Sequence, residues 1–572
     1  MRKFSRKALA LSLCVVLGAT GFTGCGDKKD GGGSSKGDNT ADMSTGLDKD
    51  AEGDISIMVW SGDGQYYEDI GHMDWTKDDI KAQNVAAVYA VAKQFNKTYP
   101  NIKINLFAKS GDPNQVGTNT WDQEIENFKV DHGKYPDIWA SIDVPNDIKK
   151  GLVADLSVYK DESSYKAYNE TLMSTMNYWG FQGALPSYSI PWGIWVNKSL
   201  ATENNIDVPD IDWDIDEYTD FIKSADCETF WGDKSTPVRL IETGTEDINK
   251  SILENGTVNV NSDAVKDLLT YVPEWAETTV DVAEGSGNLS EEIAKECGQY
   301  SWYYFCNNRL LTDSAAPWYL ASAADPNAKS TLGVVQADDW DIYPRPSTEY
   351  CDNTVGTVVD PICVHNYALD DKNAEWSDSE KQQLLVAYTF ATYWTGSTEA
   401  KQAIADQEWV QGTSYKPAMN DTFPVVTGDA YDEQMDIWYS IDSHAVYKDT
   451  EKFPGFAEVV RLYKEGQTWD YSDKTTPVTI TEDGEKQSCL YEWENMWDEN
   501  VAGAWQTDPD WVDNVKSRLA DWNTAMNKDL EAATEQLKGS LKEYYGFTDA
   551  DFKYKLIVNI IAELLTWAVP LL

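Results

Sequence analysis

The side chains in this chain best suited to chemistry are aromatic rings and carboxylates. Its 572 residues hold 24 Trp, 31 Tyr and 15 Phe beside 96 Asp+Glu, with only 4 His. That much Trp exceeds what a core needs, and ring faces left outside a core serve ligands. Carboxylates beside such faces accept hydrogen bonds from hydroxyls. Together the two types suit a polyhydroxylated ring, which offers an apolar CH face and a rim of hydroxyls. The same carboxylates, taken in pairs, could instead carry out glycoside hydrolysis. Among 96 acids some pair always has suitable spacing, so an exported glycoside hydrolase stands as the alternative reading. His72, His132, His365 and His444 are scattered, which thins the case for His-based catalysis or zinc. No G-x-S-x-G, H-E-x-x-H or P-loop occurs. Asp210, Asp212, Asp214 and Asp216 alternate with the spacing of calcium ligands, but Ile215 stands where an EF-type loop needs Gly. They read better as an acidic helix N-terminus, which the macrodipole favours. No metal and no cofactor is expected.

The charge narrows the partners. With 47 Lys+Arg the formal charge is −49, which repels phosphate backbones and anionic lipid and argues against nucleic acid. Residues 1–24 read as an export signal: Arg2, Lys3, Arg6 and Lys7 precede an apolar run from Ala8 to about Thr20. Phe22-Thr23-Gly24-Cys25 closes it and resembles a bacterial lipoprotein signal, with Phe22 where Leu is usual. The resemblance makes Cys25 the lipidated new N-terminus. Residues 25–53, rich in Gly, Ser, Asp and Lys, cannot offset the entropy of ordering and read as a flexible tether. Cys227, Cys297, Cys306, Cys351, Cys363 and Cys489 remain, with no CxxC spacing to suggest a pairing.

The body opens as strand, helix, strand. Asp54–Trp60 is a short β-forming run ended by Ser61-Gly62-Asp63-Gly64, and an apolar stripe at 85, 88, 91, 92 and 95 precedes Pro100. Ile102–Phe107 then alternates. Such a βαβ unit implies a parallel sheet, whose ligands lie beyond the carboxyl ends of its strands. That places the Trp60–Gln65 loop beside a ligand. At the other end, residues 556–572 are abruptly apolar, a tail of unclear role and too short, with Glu563 inside, for a good membrane span.

Further motifs appear in a telling order. Pro136-Asp137-Ile138-Trp139 is followed by Lys150–Ser157, then Gln182-Gly183-Ala184-Leu185-Pro186, Gly193–Lys198, Val208–Asp214, Asn308–Thr312 with Ala316-Pro317-Trp318, and Gln382–Trp394. In this order, over roughly 54–470, the chain resembles the family 1 extracellular solute-binding proteins of sugar ABC importers. Val196 replaces the Tyr usual before Asn-Lys. The resemblance implies an α/β fold of two periplasmic-binding-protein-like lobes joined by a hinge. Lobe 1 would comprise 54–190 and 353–410; lobe 2, 191–352 and 411–555. It implies a monomer that binds an oligosaccharide, performs no chemistry, and hands the sugar to permease subunits in the membrane. Such a protein would be lipid-anchored on the outer face of a Gram-positive cell membrane. Carried onto this chain, the ligand-binding residues would be Trp60, Asp63, Gln65, Asp143, Tyr188, Trp192, Trp318, Asp360, Trp409 and Tyr415. Stretches 63–83, 280–300 and 470–505 read as surface additions, and Trp302–Phe305 as helix packing.

Overall fold

The computed structural model describes residues 43–552, except 111–118, 246–255, 281–300, 316–338, 370–375, 408–421, 471–473, 481–485, 489–507 and positions 77, 81, 442, 443 and 477. The expected signal, Cys25, most of the tether and the apolar tail lie outside these residues. Among the described residues no helix is long and apolar enough to cross a membrane.

The opening βαβ unit forms as the periodicity requires. It consists of β1 (Gly53–Gly62), a two-residue β2 (Tyr66–Tyr67), α1 (Gln83–Phe95) and β3 (Ile102–Ser110). β1 and β3 run parallel from Gly53↔Ile102 to Val59↔Ala108. The stripe Val85, Val88, Val91, Ala92 and Phe95 is buried as a unit. Side chains on both faces of β1 are buried as well, Ile55, Ile57 and Val59 with Ser56 and Met58, as a strand covered by helices on both sides demands. Next come α2 (Trp121–His132), which starts on a Thr120–Gln123 capping box, β4 (Ile138–Ala140) and α3 (Val144–Lys149).

Five more strands complete the main sheet: β5 (Leu185–Val196), β6 (Thr312–Ala315), β7 (Asp341–Tyr343), β8 (Val355–Val364) and β9 (Thr468–Asp470). The order is β6-β5-β8-β4-β1-β3-β2, with β7 also on β5 and β9 also on β8. β5 changes partners halfway. Its residues 185–192 pair with β8, and 193–196 pair with β6 and β7. One strand therefore belongs to two parts of the molecule.

Three hydrophobic cores surround this sheet. The first gathers β1, α1, β3, β4 and α5 (Asp378–Gly396). The second and third lie against opposite faces of the β5–β7 end, because side chains on a strand alternate. Ile194 and Val196 enter the second core, with Trp213, Tyr218 of α4 (Ile215–Lys223) and Trp275. Trp195 enters the third, with Trp340, Trp438 and Phe456 of α6 (Pro454–Lys464). Here the Trp content is explained differently from the composition reading: eleven Trp are buried among the described residues. Rings such as Trp195 and Trp340, stacked at 4.7 Å, fill cores that sandwich a narrow sheet end. Tyr304 and Phe305 pack as expected of a helix.

The acidic run at 210–216 resolves as a cap. Asp214 accepts from the N–H groups of Asp216 and Glu217, in a capping box with Glu217.

The longest element is α7 (Trp511–Tyr545), 35 residues, or about 52 Å of helix. Its buried positions are Trp511, Val515, Leu519, Trp522, Met526, Leu530, Ala533, Leu537 and Leu541. The spacing repeats four, four, three, an 11-residue period of about 3.67 per turn that keeps the stripe almost straight along the helix. The stripe serves two cores: residues through Leu530 enter the second, and Leu537 and Leu541 enter the first. Segment 411–555, expected with lobe 2, thus contributes to all three cores.

Candidate functional site

The candidate site draws on the end of β1 and, across β4 from it, the strands β8 and β5. Trp60 is half-buried near the carboxyl end of β1, inside the strand rather than in the loop after it. Its carbonyl accepts from Asn84 Nδ2 at the start of α1. Its ring meets that of Trp121, the first residue of α2, edge to face at 5.7 Å. The strand then bulges between Val59 and Gly62. A Cβ on Gly62 would lie 2.2 Å from that of Ala108, so only glycine lets the turn close against β3.

That turn consumes its own polar groups. Asp63 accepts from the Gln65 backbone N–H at 3.2 Å and from the Tyr67 hydroxyl. Gln65 has an exposed side chain, and its carbonyl accepts from Ala108 N–H at 3.3 Å. Asp143 caps α3, accepting from Asn146 N–H at 2.9 Å, and is 8% exposed.

The crossing strands contribute a half-exposed row. Tyr188 lies opposite Asp360 and Trp192 opposite Gly356, and alternation puts Tyr188 and Trp192 on one face of β5. Tyr188, Trp192, Val358 and Asp360 are half-buried, while Ile190, on the same face between the two rings, is buried, as are Ser189, Thr357 and Val359 on the other face. Trp192 Nε1 donates to Ser314 Oγ at 3.2 Å.

Lys474 ties these parts together. Its ammonium pairs with Asp360 Oδ1 and lies 5.4 Å over the centre of the Trp60 ring. Its carbonyl accepts from Val144 N–H at 2.9 Å, and the next carbonyl, of Thr475, accepts from Tyr178 Oη at 2.7 Å. The structure therefore brings Trp60 and Asp360 to one lysine, with Tyr188 opposite Asp360 on the neighbouring strand and Asp143 one residue before the Val144 that bonds the lysine's carbonyl. Trp192 stands farther along β5, and Asp63 and Gln65 stand in the turn after β1. Trp318, Trp409 and Tyr415 lie outside the described residues. Segment 470–505 was expected to be surface, yet its residues Thr475 and Thr476 are buried. The reason is that β9 runs beside β8 and carries the chain between the cores. Segment 63–83 likewise buries Ile70 and Ile80.

Behind the site, Asp147 of α3 is fully buried and accepts from Trp139 Nε1 at 2.9 Å and Ser141 Oγ at 2.7 Å. Loss of water, then the nearby Asp122 charge, pushes its carboxyl up to about 6. No group of three or more metal-ligating side chains occurs among the described residues.

No family model and no curated protein matches the chain. Among solved structures it is similar to the maltodextrin binding protein MalE1 from L. casei BL23 without ligand. That likeness has 14% identity and a TM-score of 0.50, over 84% of this chain and 100% of that one. It is similar also to the cyclic alpha-maltosyl-1,6-maltose binding protein from Arthrobacter globiformis, at 14% identity and TM-score 0.48, over 86% and 100%. A family 1 extracellular solute-binding protein from Bifidobacterium longum subsp. infantis is a third, at 13% and 0.45, over 85% and 99%. The first of these likenesses shows the fold: the chain is α/β, with the two-lobed architecture of periplasmic binding proteins.

Proposed function

We propose that this chain captures an oligosaccharide outside the cytoplasm and delivers it to the permease of an ABC importer, without altering it. The observation that carries this reading is the half-exposed row Tyr188, Trp192 and Asp360 on the strands shared by the cores, meeting Trp60 through Lys474. Ring faces and a carboxylate at a lobe junction suit a sugar's CH face and hydroxyls. The similar structure from L. casei is named for maltodextrin binding, which supports a saccharide as the class. Lobe 1 would be 54–190 with 353–410, around the first core; lobe 2 would carry the second and third. Binding would favour the closed arrangement by the difference in affinity between closed and open states. A lipid on Cys25 and the tether would hold the monomer at the membrane of a Gram-positive cell, as the opening residues suggest.

The test is intrinsic Trp fluorescence during titration with a panel of plant and microbial oligosaccharides, with the same samples assayed for product sugars. Saturable change at micromolar sugar, with the sugar recovered intact, is the expected result. Shortened sugars in those samples would make the protein a glycoside hydrolase instead. No response across the panel would remove saccharides as the ligand class.

A further inference from the structure

We infer that Lys474 determines whether this site takes a neutral or an acidic saccharide, and that Asp360 sets the choice to neutral. The inference rests on the sugar-binding reading and deepens it. Lys474 is not a loose surface lysine. Its own carbonyl accepts from Val144 N–H at 2.9 Å and the next carbonyl, of Thr475, accepts from Tyr178 Oη at 2.7 Å. The side chains of Lys474 and Asp360 keep 24% and 19% of their exposure, so a ligand can reach both. The ammonium lies over the Trp60 ring, 5.4 Å from its centre, so a sugar brought to that face would meet the Lys474–Asp360 pair directly.

The charges at that ring cancel, since Lys474 pairs with Asp360. Of the neighbouring acids, Asp143 is engaged by Asn146 N–H at 2.9 Å, and Asp470, on β9, is 9% exposed. A neutral ring laid on Trp60 meets one donor head and one acceptor head, both suited to hydroxyls. A uronate would bring its carboxylate against a lysine already neutralised, in a chain of net charge −49. Asp360→Asn keeps the size and an acceptor oxygen but frees the ammonium, which then has a uronate carboxylate as its natural partner.

The experiment titrates the mature chain with a neutral oligosaccharide from the panel and with its C6-oxidised uronate form. Wild type is expected to favour the neutral sugar. In Asp360→Asn the affinity ratio should move at least ten-fold toward the uronate, and the shift should shrink as salt rises. Adding Lys474→Met should return the ratio to neutral preference. As an independent arm, Lys474→Gln alone should move the ratio at least ten-fold further against the uronate. An unchanged ratio in Asp360→Asn and Lys474→Gln, with both variants unfolding at the wild-type temperature, overturns the inference and leaves sugar binding standing. Wild type that binds no sugar overturns the functional reading itself.

Discussion

Asp147 shows how one buried side chain sets a pH response. Its carboxyl titrates near 6 in the fold against 3.8 free, so the protonated form is the one the fold favours. That contribution is complete below about pH 4 and is lost as pH rises through 6. Asparagine at 147 offers the same acceptor to Trp139 and Ser141 without a charge. Asp147→Asn is therefore expected to gain stability at pH 8, up to about 3 kcal/mol, and to show no gain at pH 4. Calorimetry at the two pH values checks this; equal behaviour at both would mean that burial does not perturb the acid. His444 acts in the opposite sense. It is stacked on Trp438 at 3.9 Å, and burial lowers it to about 3, so its contribution is present above 6.5 and falls away toward 3. In Asp147→Asn nothing at residue 147 offsets that acid loss. The sequence pointed to Trp60, Asp143, Tyr188 and Asp360 as rings and acids near strand ends, and the structure puts Trp60 near the end of β1, Asp143 before α3, and Tyr188 opposite Asp360. It did not disclose Lys474, because a lysine in an acidic stretch reads as solvated. Its pairing with Asp360, 114 residues away, exists only once β8 and β9 lie side by side.

At the scale of elements, the βαβ opening was the most legible part. The change from a two-residue to a 3.6-residue period at Asn84 and back at Ile102 names three elements without reference to anything distant. Segments that turn back on β1 were less so. Gly62 reads as an ordinary turn residue, while the structure makes it the point of closest approach to β3. Gly62→Ala must push β3 aside or unfold the bulge, at an expected cost of about 1–3 kcal/mol. Chemical denaturation measures it, and a cost near zero would show that the bulge relaxes freely. The stripe of α7 is also written in the sequence, as an 11-residue repeat. A repeat gives a face, however, and not the core that covers it. That the one stripe leaves the second core at Leu530 and reaches the first at Leu537 depends on where β5 has carried the chain.

For the whole molecule, the sharing of strands and of α7 sets what can move. Hinge motion between the lobes has to bend β5 and β8 where they change partners, and has to leave α7 seated in both cores or peel it from one. Leu519→Ala and Leu537→Ala, one in each half of the helix, are each expected to cost about 2–5 kcal/mol. Differential scanning calorimetry of both variants is the check. Each should lower one common transition; two separated peaks, with only one of them displaced by each variant, would show that the halves are independent. A single peak would follow directly from the continuous stripe of α7. Neither half of the protein can melt alone without leaving some 25 Å of apolar helix exposed to water. The two lobes would survive or fail together in heat, and a protease that cut the helix near Ala533 would convert one melting unit into two.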